Sequence, residues 1–581
     1  MSPSRRARLR SLLCAAVLVT VGCGPPPEPT CTLPPVSATA GAALDLELRL
    51  EGALPGGELR LVLPHPWYGL GGSAKPTRVE ASADGTPVPA TWEALEHGRA
   101  HAVAELPSSS VATLSMAGLR APSTAGAAEL VILYGRRAHR ICPGLALPVA
   151  AGPPVELRVV GPSTARPGED VRVGVRWIDA AGNAVDGPPV DLRWRAVGEG
   201  DSVPMAPFEG PHGTVAAPPA GLWRPEAHGA GRSTLGEPLL VADDAPREYW
   251  ADLHGHGALS DGWSAPEPWF QHARDVAFLD AAALSEHAWQ LTAVEWDQLR
   301  QATLAASVPG RFAALSAMET NVVGHEVAYL RNPSRLDGGV ASGATTIWQE
   351  TDLGRPTGDF RPRPSDWARD EDVLMVPHTT LDPGMGADLP SRRLGTLRLV
   401  EIYSAHGSSA ERGGWRALPS PSREPRTSVA ELLAAGEQVG FLAAGDSHDG
   451  RPGTTRWGGR RGGLTAVRAE RLDPDALWLA LRDRATVATS GRRVHADASL
   501  SGRAIGQTAP PGLLRYRVAD VAPPRHIWLV RDGLTRREVP AASPGEWGQV
   551  TVTDPFRSLH LEVELHDGER VWLSPWFGRA P

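Results

Sequence analysis

Lysine is almost missing from this 581-residue sequence: Lys75 stands alone, and arginine supplies the rest of the 58 basic residues. That skew is a compositional bias and carries no chemistry of its own. Against 66 acidic residues it leaves a formal charge of −8, which argues against a nucleic-acid binder held by phosphate neutralisation. Long apolar runs are lacking too. Past the N-terminus nothing approaches the ~20 apolar residues of a transmembrane helix. Cysteine is scarce, with four in the chain.

Each cysteine has a reading. Arg5, Arg6, Arg8 and Arg10 form a basic region ahead of a short apolar stretch, residues 11–22, with the shape of a secretory leader. Cys14 belongs to that leader. The stretch ends in "VTVGC", small residues before Cys23, which resembles a bacterial lipobox. The resemblance implies cleavage before Cys23, a lipid on that cysteine and a membrane tether through the Pro-rich residues 23–30. A plain leader cut nearby is the alternative. The protein is thus expected to be exported and lipid-anchored in a bacterial cell envelope. Cys31 and Cys142 remain, and in an exported chain they most simply pair. Such a bridge contributes about 4–5 kcal/mol in the chain-entropy model; two free thiols are the alternative.

At this length three or four domains are expected. Residues 31–150 read as a β domain: Leu44–Leu50 alternates apolar and polar, and Glu58–Leu63 and Glu129–Tyr134 are further strands between Gly/Pro/Ser turns. Residues 155–245 read as an immunoglobulin-like sandwich. From 249 to 465 short apolar strands alternate with amphipathic segments, the pattern of an α/β unit with a largely parallel sheet or barrel. Helices are predicted over 266–276, 293–306 and 428–438. Another, over 474–484, opens a region that becomes a C-terminal β domain, 466–581.

The α/β strands share a property: each ends on a residue able to bind metal. "DLHGHGALSDG" carries His254, His256 and Asp261; "AAALSEH" ends on His287, "FAALSAMET" on Glu319, "VLMVPH" on His378, "RLVEIYS" holds Glu401, and "GFLAAGDSH" ends on Asp446 and His448. In a parallel barrel such strand ends converge on one face. In "HGH", residues i and i+2 of extended chain point to the same side, and Gly255 leaves no side chain to crowd an ion. The donors are nitrogen and oxygen without thiolate, which suits Zn²⁺, Mn²⁺ or Fe²⁺. Eight or nine donors exceed the needs of one ion, so two or three divalent ions are expected, with Glu319 bridging. His65, His101, His272, His526, His560 and His566 lack this context and read as structural.

These motifs, with "AMETNVVGH" and "GDSHDGRPG", resemble in order the polymerase-and-histidinol-phosphatase (PHP) superfamily of metallohydrolases. They are most similar to its carbaryl-hydrolase-like (CehA/McbA) branch, over residues 155–577. The resemblance implies a distorted (β/α)7 barrel flanked by all-β domains. It implies metal binding by His254, His256, His287, Glu319, His378, Asp446 and His448, with Asp261 a further ligand or its neighbour. His325 fills the position after Glu319, with His406 in reserve. The motif that usually ends Thr-Asp-His is Ser285–Glu286–His287 here. The implied activity is metal-assisted hydrolysis by an activated water, with Arg451 stabilising a phosphate and His378 or His406 protonating the leaving group. A small-molecule phosphoester is the first expected substrate, and a carbamate, ester or amide the second. An inactive envelope lipoprotein that binds glycan or protein is the rival from another class.

Overall fold

The computed structural model describes residues 29–33, 38–63, 76–94, 100–121, 125–135, 139–142, 145–198, 200–288, 291, 293–321, 324–331, 372–386, 397–418, 427–457 and 459–578. The expected leader, Cys23 and nearly all of the tether lie outside them. Among the described residues no helix is long and apolar enough to cross a membrane.

Among the described residues the first unit is β, with sheets of five, three and five strands. One of its two twelve-residue strands, Ala43–Leu54, buries Leu44, Leu46, Leu48 and Leu50 and exposes the charged residues between them. That period of two arises because side chains leave a strand on alternate faces. Each buried leucine contributes roughly 1.5–3 kcal/mol. The strand predicted over 129–134 is instead two, Gly126–Glu129 and Val131–Tyr134, which join different sheets on either side of buried Leu130. Cys31 and Cys142 are bonded, with their Cα atoms 5.9 Å apart.

The second unit is a sandwich of a four-stranded and a six-stranded sheet around Trp177, Trp194 and Trp223. Side chains join it to the C-terminal part of the chain. Trp250 Nε1 donates to Ser163 Oγ at 2.9 Å, and Arg172 meets Asp280 at 2.5 Å.

The remainder departs from a sevenfold β/α repeat, which is not evident. Tyr249–Asp252, Ala281–Leu284 and Ala313–Thr320 pair in parallel. The next two strands, Glu326–Leu330 and Val373–Pro377, pair antiparallel. For the first of these the reason lies in the connection: only residues 321–325 separate Thr320 from Glu326, and a parallel crossover needs a dozen or more. Leu399–Ser404 and Gly440–Ala443 pair in parallel but in a separate small sheet. Helices are few. Pro266–Asp275, Ala293–Ala306 and Pro474–Arg482 stand close to their predicted places. The segment predicted over 428–438 is the six-residue helix Val429–Ala434, opened by a capping box between Ser428 and Glu431. Gly436, at φ +93°, comes just after it.

Position 465 does not break the sheet. Leu464–Val467 pairs with Tyr249–Asp252 on one side and with Thr486–Thr489 on the other. The ladder continues through Arg570–Leu573, Ser558–Glu564 and His526–Arg531, giving twelve strands in all. Much of the expected C-terminal domain is therefore the far half of the sheet that carries the site. The helix Pro474–Arg482 packs Leu477, Trp478 and Leu481 into the same core as Ala251, Ala283 and Leu315.

Candidate metal centre

Past the ends of the parallel strands the backbone ladder carries on between the predicted ligand segments. Asp446 N donates to His254 O at 2.8 Å, His256 N to Ser447 O at 2.7 Å, and Ser285 N to Gly255 O at 2.8 Å. Glu319 N reaches Glu286 O at 3.0 Å, and His378 N reaches His325 O at 3.4 Å. Residues far apart in the chain are thereby held in register, and their side chains meet on one side. Gly255 has a different task from the one expected. A Cβ there would lie 2.6 Å from Ser447 Oγ and 2.8 Å from Trp269 Cζ2, so glycine lets the two ligand segments touch. Thr379 and Asp446, non-glycine residues at φ 44° and 47°, sit beside or within the cluster, where uncommon backbone is tolerated when the surroundings enforce it.

Glu319 is the hub. Its Oε2 lies 3.1 Å from His256 Nε2 and 3.3 Å from His254 Nε2 and His287 Nε2. Its Oε1 lies 3.1 Å from His378 Nε2 and also meets His325 Nδ1. Asp446 forms a second centre, with Oδ1 3.3 Å from His256 Nε2 and Oδ2 3.1 Å from His406 Nε2. Asp261 forms a third, with Oδ1 3.4 Å from both His287 Nδ1 and His448 Nε2. Glu401 Oε2 accepts from His254 Nδ1 at 2.9 Å. It orients that ring so that Nε2 faces Glu319, as a carboxylate behind a metal-binding histidine does. Both candidates for the position between Glu319 and His378 are thus brought in, His325 to Glu319 and His406 to Asp446.

Arg451 is not brought in by any of these contacts. Its Nη1 would be 2.9 Å from a Cβ on Gly182 of the second β unit, and Asp449 and Asp179 are the carboxylates that act on it. Arg451 is thus held beside the second β unit.

The charges lock together. Burial pushes the Glu319 carboxyl up, but His287, His378 and His325 hold it well below the carboxylate range. Asp446 is likewise held low, against its burial, by His254 and His406. Burial lowers His448, yet Asp261 outweighs it and lifts the imidazole to about 9. His256 is depressed by burial and by the charges of His448 and His287. With several rings competing for few carboxylates, buried polar atoms remain without hydrogen bonds among the described residues: both nitrogens of His256, His378 Nε2, Glu319 Oε1, Glu401 Oε1 and Asp261 Oδ1. Such atoms are costly unless something binds them.

A divalent cation suits them. Four overlapping groups each place their donor atoms within 4.8 Å of one another: His256, Asp261, His287 and His448; His254, His378, Glu401 and Asp446; His254, His256 and Glu319; and His287, Glu319 and His325. Nitrogen and carboxylate donors without thiolate fit the expected ion types, and an ion replaces the protons that otherwise neutralise the site.

Two carboxylates within the sequence motifs, to which sequence reasoning gave no role, frame the centre. Asp252, fully buried, accepts from Gly445 N and Gly453 N at 2.7 Å each. It clamps the loop carrying Asp446 and His448 to the strand end before His254. Burial lifts its carboxyl to about 6. Glu286 accepts from Gly257 N at 2.9 Å, Leu259 N at 3.3 Å and Ser260 Oγ, fixing the turn that presents Asp261. Burial lifts it to about 7. A carboxylate in an apolar run beside ligand-type histidines was the available signal for both.

No family model matches the chain. Among curated proteins it is similar to two uncharacterised chlamydial proteins. It is 26% identical to one from Chlamydia muridarum over 246 residues, 35% of this chain and 38% of that protein. It is 25% identical to one from Chlamydia pneumoniae over 373 residues, 58% of each. The chain thus spans less than two thirds of these relatives' own length. Among solved structures it is similar to a two-domain protein from Bacteroides vulgatus containing a predicted PHP-like metal-dependent phosphoesterase. That similarity is 13% identical, covers 55% of this chain and 91% of that one, and has a TM-score of 0.28.

Proposed function

We propose that this protein is a metal-dependent hydrolase of the PHP type, with phosphoesters as its first substrate class. The observation that carries the reading is one buried carboxylate, Glu319, with five imidazoles around its two oxygens. Packing alone gives no reason to bury that set. Divalent ions, when bound, supply Lewis acidity that makes water nucleophilic near neutral pH and polarises a phosphoryl or carbonyl oxygen. His254, His256, Asp261, His287, His325, His378, Asp446 and His448 hold them with Glu319, and Glu401 orients His254. His406 and His325, at 19% and 20%, are more exposed than the buried His254 and His256. His406, its Nε2 held by Asp446 Oδ2 at 3.1 Å, would hold a proton for the leaving group.

Metal analysis of the purified full chain, with a substrate panel, tests this. Two or three Zn, Mn or Fe ions per chain are expected, and less than one tightly bound ion would sink the reading. Turnover of p-nitrophenyl phosphate or bis-p-nitrophenyl phosphate above that of p-nitrophenyl carbamates and esters assigns the phosphoester class; the reverse order assigns the carbaryl-hydrolase-like alternative.

We also propose export and lipid anchoring through Cys23. The lipobox-like residues support it, and so does the Cys31–Cys142 bond, since such bonds persist in oxidising compartments. Cells fed labelled fatty acid should label the wild-type protein and leave Cys23→Ser unlabelled. Equal labelling of both would refute it.

A further inference from the structure

Between the second β unit and the site-bearing body lies a cleft of about 520 Å³, lined by none of the metal-centre residues. Six arginines face it, Arg158, Arg224, Arg456, Arg461, Arg492 and Arg493, against the carboxylates Glu156, Glu237 and Asp567. Those carboxylates are already engaged. Glu237 takes Arg492 through both oxygens at 3.0 Å, Asp567 meets Arg492 at 2.5 Å, and Glu156 lies 3.6 Å from Arg158. Arg493 spends its N–H groups on the carbonyls of Phe278 and Ala277, at 2.9 and 2.6 Å. Arg224 donates to the carbonyls of Gly236 and Leu235. Among the described residues no carboxylate pairs with Arg224, Arg456 or Arg461.

The short ladder of Arg456–Trp457 with Arg460–Arg461 sharpens this. Arg456 and Arg461 are directly opposed in it, so their side chains leave the same face, where like charges destabilise. Arg460, one position along and so on the other face, donates to His406 O at 3.1 Å. Burial lowers Arg158 and Arg224; Glu156 and Glu237 offset part of that, while Arg456 beside the first and Arg492 beside the second deepen it. Arg492 is well supplied with carboxylates, Asp520 at 2.9 Å included, but the opposed Arg456 and Arg461 leave positive charge that an anion would meet.

We propose that this cleft binds a phosphate group, held chiefly by Arg456 and Arg461, with Arg224 also lining it. Guanidinium forks match phosphate oxygens two at a time, and a tetrahedral dianion offers enough acceptors for three forks where a carboxylate offers two oxygens. The space exceeds a bare phosphate, so the group can belong to a larger organic molecule. The lining also includes Gly453, whose N–H is clamped by Asp252, so an occupant bears on the loop that carries Asp446 and His448. The site stands whether or not the metal centre hydrolyses phosphoesters.

Calorimetric titration of the purified full chain with inorganic phosphate and, separately, with glycerol 3-phosphate tests it, at an ionic strength held constant with chloride. Binding is expected in the wild type and in Asp446→Ala, whose metal centre is disabled. It should weaken about a hundredfold in Arg456→Gln/Arg461→Gln, counting ~1.5 kcal/mol for each lost charged contact and tenfold per 1.4 kcal/mol. The tighter probe tells a free anion from a phosphate on an organic molecule. Absence of binding by both probes, or loss in Asp446→Ala with retention in the arginine double variant, would overturn the proposal. So would a ligand-free double variant melting several degrees lower, because that would make the two arginines structural; relief of their repulsion predicts an equal or higher midpoint.

Discussion

Replacing Glu319 by glutamine is expected to strip the chain of bound metal and to lower kcat/KM for any true substrate by roughly 10³-fold or more, a loss of ~4 kcal/mol of charge stabilisation. Glutamine keeps the size and shape of the side chain, so the core around Ala317 and Met318 is undisturbed. The charge is what goes. Five imidazoles lose their common counter-ion, and one carboxylate oxygen becomes an amide that donates where the rings need an acceptor. The readouts are ions per chain by elemental analysis and single-substrate kinetics, with circular dichroism to show that the fold persists. A variant that keeps both its metal and its turnover would remove Glu319 from the centre of the site and show the measured activity to come from elsewhere.

Asp252→Ala should be the most damaging single change outside the ligand set. Two backbone donors, Gly445 N and Gly453 N, bond its carboxylate at 2.7 Å in a fully buried place. Leaving each unmet costs about 1–3 kcal/mol, so the site-bearing body should lose roughly 2–6 kcal/mol. The damage reaches chemistry through position: the freed loop holds Asp446 and His448, while the other side of the clamp holds His254. Asp252→Asn should fall between, because its amide keeps one acceptor and turns a donor towards the second N–H. The urea midpoint for metal release measures this, with the order wild type, Asn, Ala expected. An alanine variant with an unchanged midpoint and full metal content would show the clamp to be idle.

The metal centre was legible because its ligands come as residue types, at the ends of short apolar strands, in groups one or two residues apart. His254 with His256 is such a group, and extended chain places i and i+2 on one side. The four leucines from Leu44 to Leu50 were legible for the same reason. Asp446 with His448 has the same spacing, but Asp446 at φ 47° is not extended and is brought in by tertiary contacts. Local periodicity says nothing about where a strand finds its neighbour. That is why the strand after Thr320 pairs antiparallel, against the expected barrel, and why the sheet runs on past position 465.

Asp252 marks the boundary between the two kinds of knowledge. It stands in the first histidine motif, two residues before His254, but its partner Gly453 is 201 positions away. The sequence alone determined which residue types carry the chemistry, because ligand identity and alternation are local properties of the chain. Only the tertiary structure decided which carboxylate would sit among five histidines and which would hold a loop. Those roles depend on burial and on backbone partners, and distant segments acquire both only when they pack together.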